Sequence, residues 1–517
     1  MNPKSYTILW ADDEIELLRP HVRYLQGKGY NVIPCVSGPD ALDEVRTQSI
    51  DLVFLDEQMP GLSGLETLQQ IKQIAPSVPV VMVTKSEEEH LMNEAIGQQI
   101  ADFLIKPVNP SQLLLTIKKL LQKESLVSQQ TVQDYHLFFR NLTLRLSDKL
   151  SLQEWFEAYK ELVSWELSVE ERHPDLLSVL QGQKEEAQRL FAKMITQNYK
   201  TWVNAAPDNR PVMSPDLFPK KVFPLLDAGR KVFFVLIDNF RWDQWVSVRN
   251  LLEDLYTPQE DLYLSILPTA TQYARNAIFS GLMPIQIAKN FPALWVDEES
   301  EEGKNLNEAP MIQTLLGRFR RKERFSYHKV YETEFGEKLL ANIHTLTQNE
   351  LNVIVLNFVD ILSHARTESK MIRELAHTPA AYRSLTRSWF KHSTTYSLFK
   401  EMAAAGYTVV LTTDHGSIEV KKPVKVIGDR NTSTNLRYKL GKNLAYDAAQ
   451  VYAAPKPEEI QLPKSKLSEQ FIFCYEHNFF AYPNNYNHYV KYYRDTFQHG
   501  GISMEEMMIP FITLTPR

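Results

Sequence analysis

Short apolar, β-branched runs alternate with amphipathic stretches from residue 5 to about 122, a pattern that predicts strand and helix in turn. The expected strands are Thr7 to Trp10, Asn31 to Pro34, Leu52 to Leu55, Val80 to Val83 and Phe103 to Ile105. Five strands with helices between them predict a parallel sheet covered on both faces. From about 123 to 205 the β-branched runs give way to long helical patterns. There Ser151-Leu-Gln-Glu154 has the form of a capping box, and Trp155, Tyr159 and Leu162 follow at i, i+4 and i+7. This stretch is expected to be a helical-bundle connector, with Trp155, Phe156 and Trp165 as packing residues. Ala205 to Pro211 has the prolines and turn formers of a linker. Beyond it, apolar runs at Lys231 to Ile237, Asn352 to Phe358 and Tyr407 to Thr412 predict a second α/β region. The expected division is therefore 1–122, 123–205 and 206–517, an α/β multidomain chain.

Length agrees, since 517 residues exceed what one core organises and suggest roughly two to four domains. Acidic residues outnumber basic ones 63 to 57, giving a net charge of -6, so no global positive field holds polyanions and any nucleotide contact is local. Two cysteines, Cys35 and Cys474, are too few for a disulfide framework or a Cys-rich zinc site and favour a reducing cytoplasm. The apolar runs are too short for a signal-peptide core or a bilayer span, so no membrane segment is expected. The acidic run Glu298 to Glu302 and the basic run Arg318 to Arg324 read as solvated faces, with contact to a phosphate chain as the alternative for the second.

Four of the five amino-terminal strands end in matched polar residues: Asp12 and Asp13, Asp56, Thr84 and Lys106. In a doubly wound sheet the carboxyl ends of the strands share one crevice, so these residues can converge. Adjacent carboxylates with a third nearby suit Mg²⁺, with Asp56 as a phosphoryl acceptor and Thr84 and Lys106 as partners for the added oxygens. Ala11-Asp-Asp-Glu14, Leu55-Asp-Glu-Gln-Met-Pro-Gly61, Thr84 and Ile105-Lys-Pro107 resemble the flavodoxin-like receiver domain of two-component response regulators. The resemblance implies phosphorylation of Asp56 by a sensor histidine kinase. It also implies one Mg²⁺ held by Asp13 and Asp56 with Asp12 and the Gln58 carbonyl, and a switch aromatic at Phe103. A cis bond before Pro107 would help aim Lys106 inward.

The carboxy-terminal region carries acids and imidazoles after its apolar runs: Asp238, then Asp360 and His364, then Asp414 and His415, with His499 before a Gly-Gly turn. Mixed oxygen and nitrogen donors point to Zn²⁺ first and Mn²⁺ second. The spacing of Asp360 and His364 places both on one face if a helical turn begins there. Leu267 to Arg275 reads as a strand end followed by a helix start, so Thr271 is a candidate nucleophile where backbone N–H groups welcome a phosphate, or else a helix N-cap. Arg275 and Lys421 to Lys425 are candidates for substrate contact or solvated charges.

Leu236-Ile-Asp-Asn239, Thr271 with Gly281-Leu-Met-Pro284, Asp360 to His364, Thr413-Asp-His-Gly416 and His499 to Met507 resemble the PglZ branch of the alkaline phosphatase superfamily. That resemblance implies an alkaline-phosphatase-like α/β domain with two zinc ions. One would be held by Asp238, Thr271, Asp414 and His415, the other by Asp360, His364 and His499. The chemistry implied is metal-dependent phosphodiester hydrolysis with Thr271 as nucleophile, on a nucleotide or oligonucleotide.

Receiver, connector and PglZ domain in that order resemble the PorX-type response regulators. This implies control of type IX secretion and gliding, a sensor-kinase partner, an extracytoplasmic-function sigma factor and homodimerisation on phosphorylation. The competing expectation is a non-catalytic zinc-containing module that recruits a transcription partner such as the sigma factor. A DNA-binding regulator is disfavoured, because no recognition-helix module with a basic flank follows the receiver.

Overall fold

The structure, a computed structural model, describes residues 6–84, 100–121, 123–170, 174–298, 305–376, 378–429, 432–464 and 468–517. It divides into two compact units, Met1–Leu137 and Phe138–Arg517. The division falls inside a single helix, Lys123–Ser147, and the two following connector helices, Leu152–Glu170 and Pro174–Asn204, belong with the larger unit.

In the smaller unit, strands β1 (Thr7–Ala11), β2 (Asn31–Cys35), β3 (Leu52–Asp56), β4 (Val80–Thr84) and β5 (Asp102–Ile105) form one sheet in the order β2-β1-β3-β4-β5. All its pairings are parallel. Alternate residues feed two cores: Ile8, Trp10 and Phe54 pack on one face, and Leu9, Ala11, Val53 and Leu55 on the other. Two covered faces explain why these strands read as continuous apolar runs. The order reverses between β1 and β3, so the crevice at their carboxyl ends receives Asp12 and Asp56.

The larger unit is built on β6 (Val232–Ile237), β7 (Tyr256–Leu264), β8 (Phe325–Val330), β9 (Leu351–Leu356), β10 (Thr408–Thr412) and a terminal strand, Met508–Pro516. β10, β6, β9 and β8 are parallel neighbours, while the terminal strand pairs antiparallel with both β10 and β7. β7 therefore runs in the sense of β10. One edge of the sheet thus receives the exits of β6, β7, β9 and β10 together with the entry to the terminal strand. Those are the segments that carry Asp238, Thr271, Asp360, Asp414 and His499.

After β10 the chain builds three small sheets before it returns. The pairing of Ile418 with Gln498 and of Glu419 with Phe497 closes this excursion and brings His499 back beside the turn at Asp414. The turn is tight at Gly416, where any side chain would strike the backbone carbonyl of Glu505.

The connector helices start as the sequence indicates. The Ser151 N–H donates to Glu154 Oε2 at 2.7 Å and the Glu154 N–H to Ser151 Oγ at 3.4 Å. Trp155, Phe156, Tyr159 and Leu162 are buried, and Trp155 meets Phe191 edge-on at 5.6 Å. The long helix Pro174–Asn204 also grips the segment beyond His499. Gln188 Oε1 accepts from the Met504 N–H at 2.9 Å, Gln188 Nε2 donates to Glu505, and Lys184 Nζ lies 2.6 Å from Glu166 and 3.3 Å from Glu505. Farther along, the Tyr199 hydroxyl accepts from the Leu267 N–H at 2.7 Å, in the loop that leads to Thr271.

Part of the basic run is engaged within the protein: Arg318 donates to the Ser280 carbonyl, Arg321 pairs with Asp227 and Glu323, and Arg324 pairs with Glu350. Of the acidic run, Glu298 accepts from the hydroxyls of Tyr273 and Tyr438, while residues 299–302 lie outside the described residues. Among the described residues, no helix is long and apolar enough to cross a membrane.

Candidate active sites

Strand ends build the first site. Asp12 and Asp56 are buried and Asp13 is exposed, and one carboxylate oxygen from each lies within 4.8 Å of the others. Lys106 follows β5 through a cis peptide to Pro107, and its Nζ sits 2.8 Å from Asp12 Oδ2 and 3.0 Å from Asp56 Oδ2. Its backbone N–H donates to the Thr84 carbonyl at 2.7 Å, which ties the end of β5 to the end of β4. Thr84 is buried, Phe103 is 38% exposed on β5, and Gln58 is exposed two residues beyond Asp56. Burial raises the Asp56 carboxyl above its usual range and the charge of Asp12 adds to this, against the pull of Lys106. Burial works against the Lys106 ammonium, but Asp12 and Asp56 outweigh it and hold its pKa above the ordinary value. Three carboxylates and one ammonium are a fit for a hard divalent cation and a transferred phosphoryl group.

The second site lies in the larger unit. The sheet edge brings Asp238, Asp414 and His415 into one cluster, and Asp360, His364 and His499 into another, with the donor atoms of each cluster mutually within 4.8 Å. Asp360 and His364 lie on the helix Phe358–Glu368, one turn apart, with Oδ2 and Nε2 3.5 Å from each other. The rings of His415 and His499 stack at 4.1 Å and 14°, which sets the two clusters side by side.

Both stacked imidazoles are turned to present Nε2. His415 Nδ1 lies 3.2 Å from the Gly416 carbonyl and His499 Nδ1 lies 3.1 Å from the Thr269 carbonyl. Only a protonated nitrogen can face a carbonyl oxygen, so each Nε2 carries a lone pair. Burial lowers the pKa of His415, and burial together with the neighbouring His415 lowers that of His499 to about 3. Neutral imidazoles with an oriented lone pair are the form that binds a metal ion. Burial raises the Asp238 carboxyl above its usual range against the attraction of Arg275, and its buried Oδ1 makes no hydrogen bond. For Asp360, burial is overcome by the hydrogen bond and charge of His364, which hold the carboxyl below its usual range. Orphaned oxygen and oriented nitrogen donors at one place fit a pair of divalent cations.

Thr271 is the first residue of the helix Thr271–Ser280, whose N-cap is Ala270. Its hydroxyl is therefore not spent on capping; Oγ1 lies 3.0 Å from His415 Nε2. Arg275 is placed differently from the substrate contact suggested by its sequence. One turn after Thr271, it faces the same way but is 0% exposed, clamped to Asp238, to Asp414 Oδ2 at 3.0 Å and to Glu308 Oε1 at 3.4 Å. Three carboxylates surround the guanidinium, and its complete burial leaves no edge open to a ligand. Lys421 pairs with Glu419 at 3.7 Å and Lys425 lies over the Tyr486 ring. Sequence reasoning missed Glu308, which accepts from the Tyr327 hydroxyl at 2.5 Å and from Lys329 at 2.9 Å. It also missed two asparagines near the candidate ligands: Asn239, next to Asp238 in the quoted Leu236 to Asn239 motif, and Asn357, at the end of the run before Asp360.

Comparison with known proteins finds three family matches along the chain. Residues 8–118 match the response regulator receiver domain, and residues 125–203 match the PorX response regulator linker domain. Residues 217–514, more than half the chain, match the BREX system PglZ alkaline phosphatase-like domain. Among curated proteins, the transcriptional regulatory protein ZraR of Escherichia coli (strain K12) is 34% identical over 131 residues, 25% of this chain and 30% of ZraR. The alkaline phosphatase synthesis transcriptional regulatory protein PhoP of Bacillus subtilis (strain 168) is 27% identical over 173 residues, 33% of this chain and 69% of PhoP. The chain thus spans less than a third of the length of ZraR. Among solved structures, a CheY-like receiver domain protein from Methanospirillum hungatei JF-1 is 26% identical, covers 22% of this chain and 93% of its own, and has a TM-score of 0.21. A receiver domain protein from Clostridium thermocellum is 29% identical, with coverages of 24% and 98% and a TM-score of 0.22. The chain is a response regulator of the PorX type, with a flavodoxin-like receiver, and through residues 217–514 it belongs to the PglZ alkaline phosphatase-like family.

Proposed function

We propose that this response regulator carries a zinc-dependent phosphodiesterase as its output domain, acting on a nucleotide or short oligonucleotide and controlled by phosphorylation of Asp56. The observation that carries the catalytic reading is the Thr271 hydroxyl, free of capping duty and 3.0 Å from His415 Nε2 at the boundary of two ligand clusters. Asp238, Asp414 and His415 would hold one zinc together with Thr271, and Asp360, His364 and His499 the other. Bound there, the ions would supply Lewis acidity, lowering the pKa of the threonine hydroxyl and neutralising phosphoryl oxygens.

The protein's own groups do the rest. Thr271 gives its hydroxyl proton to solvent and its Oγ1 attacks phosphorus in line; the bond to the leaving oxygen breaks, that oxygen takes up a proton from solvent, and a phosphothreonine forms. The N-terminus of the helix Thr271–Ser280 stabilises the transferred group through its backbone N–H dipoles. Water then attacks phosphorus from the opposite side and the Thr271 hydroxyl is restored. Arg275 holds Asp238 and Asp414 in place throughout.

In the receiver, Asp12, Asp13 and Asp56, with the Gln58 carbonyl, would hold Mg²⁺ while a sensor histidine kinase transfers its phosphoryl group to Asp56. Thr84 and Lys106 would meet the new oxygens, and the exposed Phe103 would be the switch aromatic. Phosphorylation would favour a homodimer. The family resemblance supports a cytoplasmic role in type IX secretion alongside a sigma factor. The test is zinc content together with turnover of bis-nitrophenyl phosphate. Two zinc ions per chain and turnover that Thr271→Ala abolishes support the enzyme; two zinc ions without any diester hydrolysis favour the module that recruits a transcription partner.

A further inference from the structure

The two ligand clusters are joined by a pair of asparagines in a reciprocal arrangement. Asn239 follows Asp238 at the end of β6, and its Nδ2 donates to Asp360 Oδ1 at 3.3 Å, in the other cluster. Asn357 follows β9 and precedes Asp360, and its Nδ2 donates back to Asp238 Oδ2 at 2.9 Å. Each amide thus leaves the strand that carries one cluster and restrains a carboxylate of the other. β6 and β9 are parallel neighbours whose paired residues end at Ile237 and Leu356, so both asparagines emerge from the sheet edge side by side. The orientation of the amides is fixed by chemistry, because only the N–H₂ end can face a carboxylate. Each Oδ1 is left buried without a hydrogen-bond partner, an arrangement that costs free energy unless another group uses it.

We infer that Asn239 and Asn357 are positioning residues that cross-brace the two metal clusters, each setting the carboxylate geometry of the cluster it does not belong to. A carboxylate held by an N–H donor keeps one oxygen aimed at the ion, and removal of such a donor typically weakens metal binding 10–100-fold. The competing account for Asn239 is backbone shape alone: its φ is 61°, in the left-handed region that asparagine and glycine tolerate best. Glycine keeps that conformation and deletes the amide, so Asn239→Gly separates the two accounts. The inference rests on the proposed metal occupancy, and its test reads the ions themselves.

The experiment is anomalous diffraction at the zinc edge on crystals of the full chain loaded with zinc, for the wild type, Asn239→Gly and Asn357→Ala, with zinc affinities from chelator competition. The expected result is crossed. Asn239→Gly loses zinc at the Asp360–His364–His499 cluster, remote from the substitution in sequence, while Asn357→Ala loses it at the Asp238–Asp414–His415 cluster. The affinity of the affected ion falls roughly 10–100-fold in each case. Asn357→Leu, which keeps the side-chain shape without a donor, gives the same loss as Asn357→Ala and guards against a failure of folding. Full occupancy in the variants, or loss at the cluster adjoining each substitution, overturns the brace. A wild type with zinc in neither cluster overturns the metal reading itself, so the two failures are distinct.

Discussion

Both units of this molecule place a basic side chain between two buried aspartates at the carboxyl ends of parallel neighbouring strands, yet they do so with different residues. In the receiver the bridge is Lys106, whose side chain is 12% exposed; in the PglZ domain it is Arg275, at 0%. An ammonium on a flexible stem at the mouth of a crevice can change partners when a phosphoryl group arrives. A planar guanidinium fixed by three carboxylates cannot do so without breaking a buried network. One cation is built to respond and the other to hold. The donor sets follow the same contrast, carboxylates alone in the receiver and carboxylates with oriented imidazoles in the PglZ domain.

The contrast can be broken experimentally, beginning with the largest expected effect. Thr271→Ala is expected to lower turnover of a small diester roughly a thousandfold or more while the zinc held by Asp360, His364 and His499 is retained, with turnover and zinc content measured side by side on each protein. Arg275→Met should destabilise the larger unit by about 3–5 kcal/mol in denaturant titrations, because Asp238, Asp414 and Glu308 lose their shared counter-charge. If the unit unfolds at an unchanged midpoint, the holding role is wrong. Chelation of zinc should lower the melting temperature of the larger unit only, by the equivalent of about 2.7 kcal/mol for each ion removed when the free ion had stood at a hundredfold its dissociation constant. Calorimetry that resolves two transitions would show which one moves. Lys106→Met should have the smallest effect on stability, on the order of 1 kcal/mol, while abolishing the response to a phosphodonor such as acetyl phosphate. A large loss of stability there would erase the distinction between the two cations.

The parts of this architecture that the sequence made legible are those where one physical rule dominates. β6, β9 and β10 are buried along their whole length, so each appears as an apolar run with an acid at its end. β7 and β8 were not among the expected strands. They form the two edges of the sheet, where Pro258, Gln259, Glu260 and Asp261 in β7 and the half-buried pattern of β8 hide the usual signal. The candidate ligands were legible because strand-end loops converge in such sheets. The setting of Arg275 was not, since its spacing from Thr271 gives the helix face but not the carboxylates that capture it. The asparagine pair was equally hidden, because its meaning arises only when β6 and β9 lie side by side.

Gly416 has one further consequence. It leaves no clearance between the His415 turn and the Glu505 carbonyl, while Gln188 holds both Met504 and Glu505 from the long connector helix. The turn that follows the imidazole therefore rests against a stop that is itself anchored to that helix, much as a string rests on a bridge.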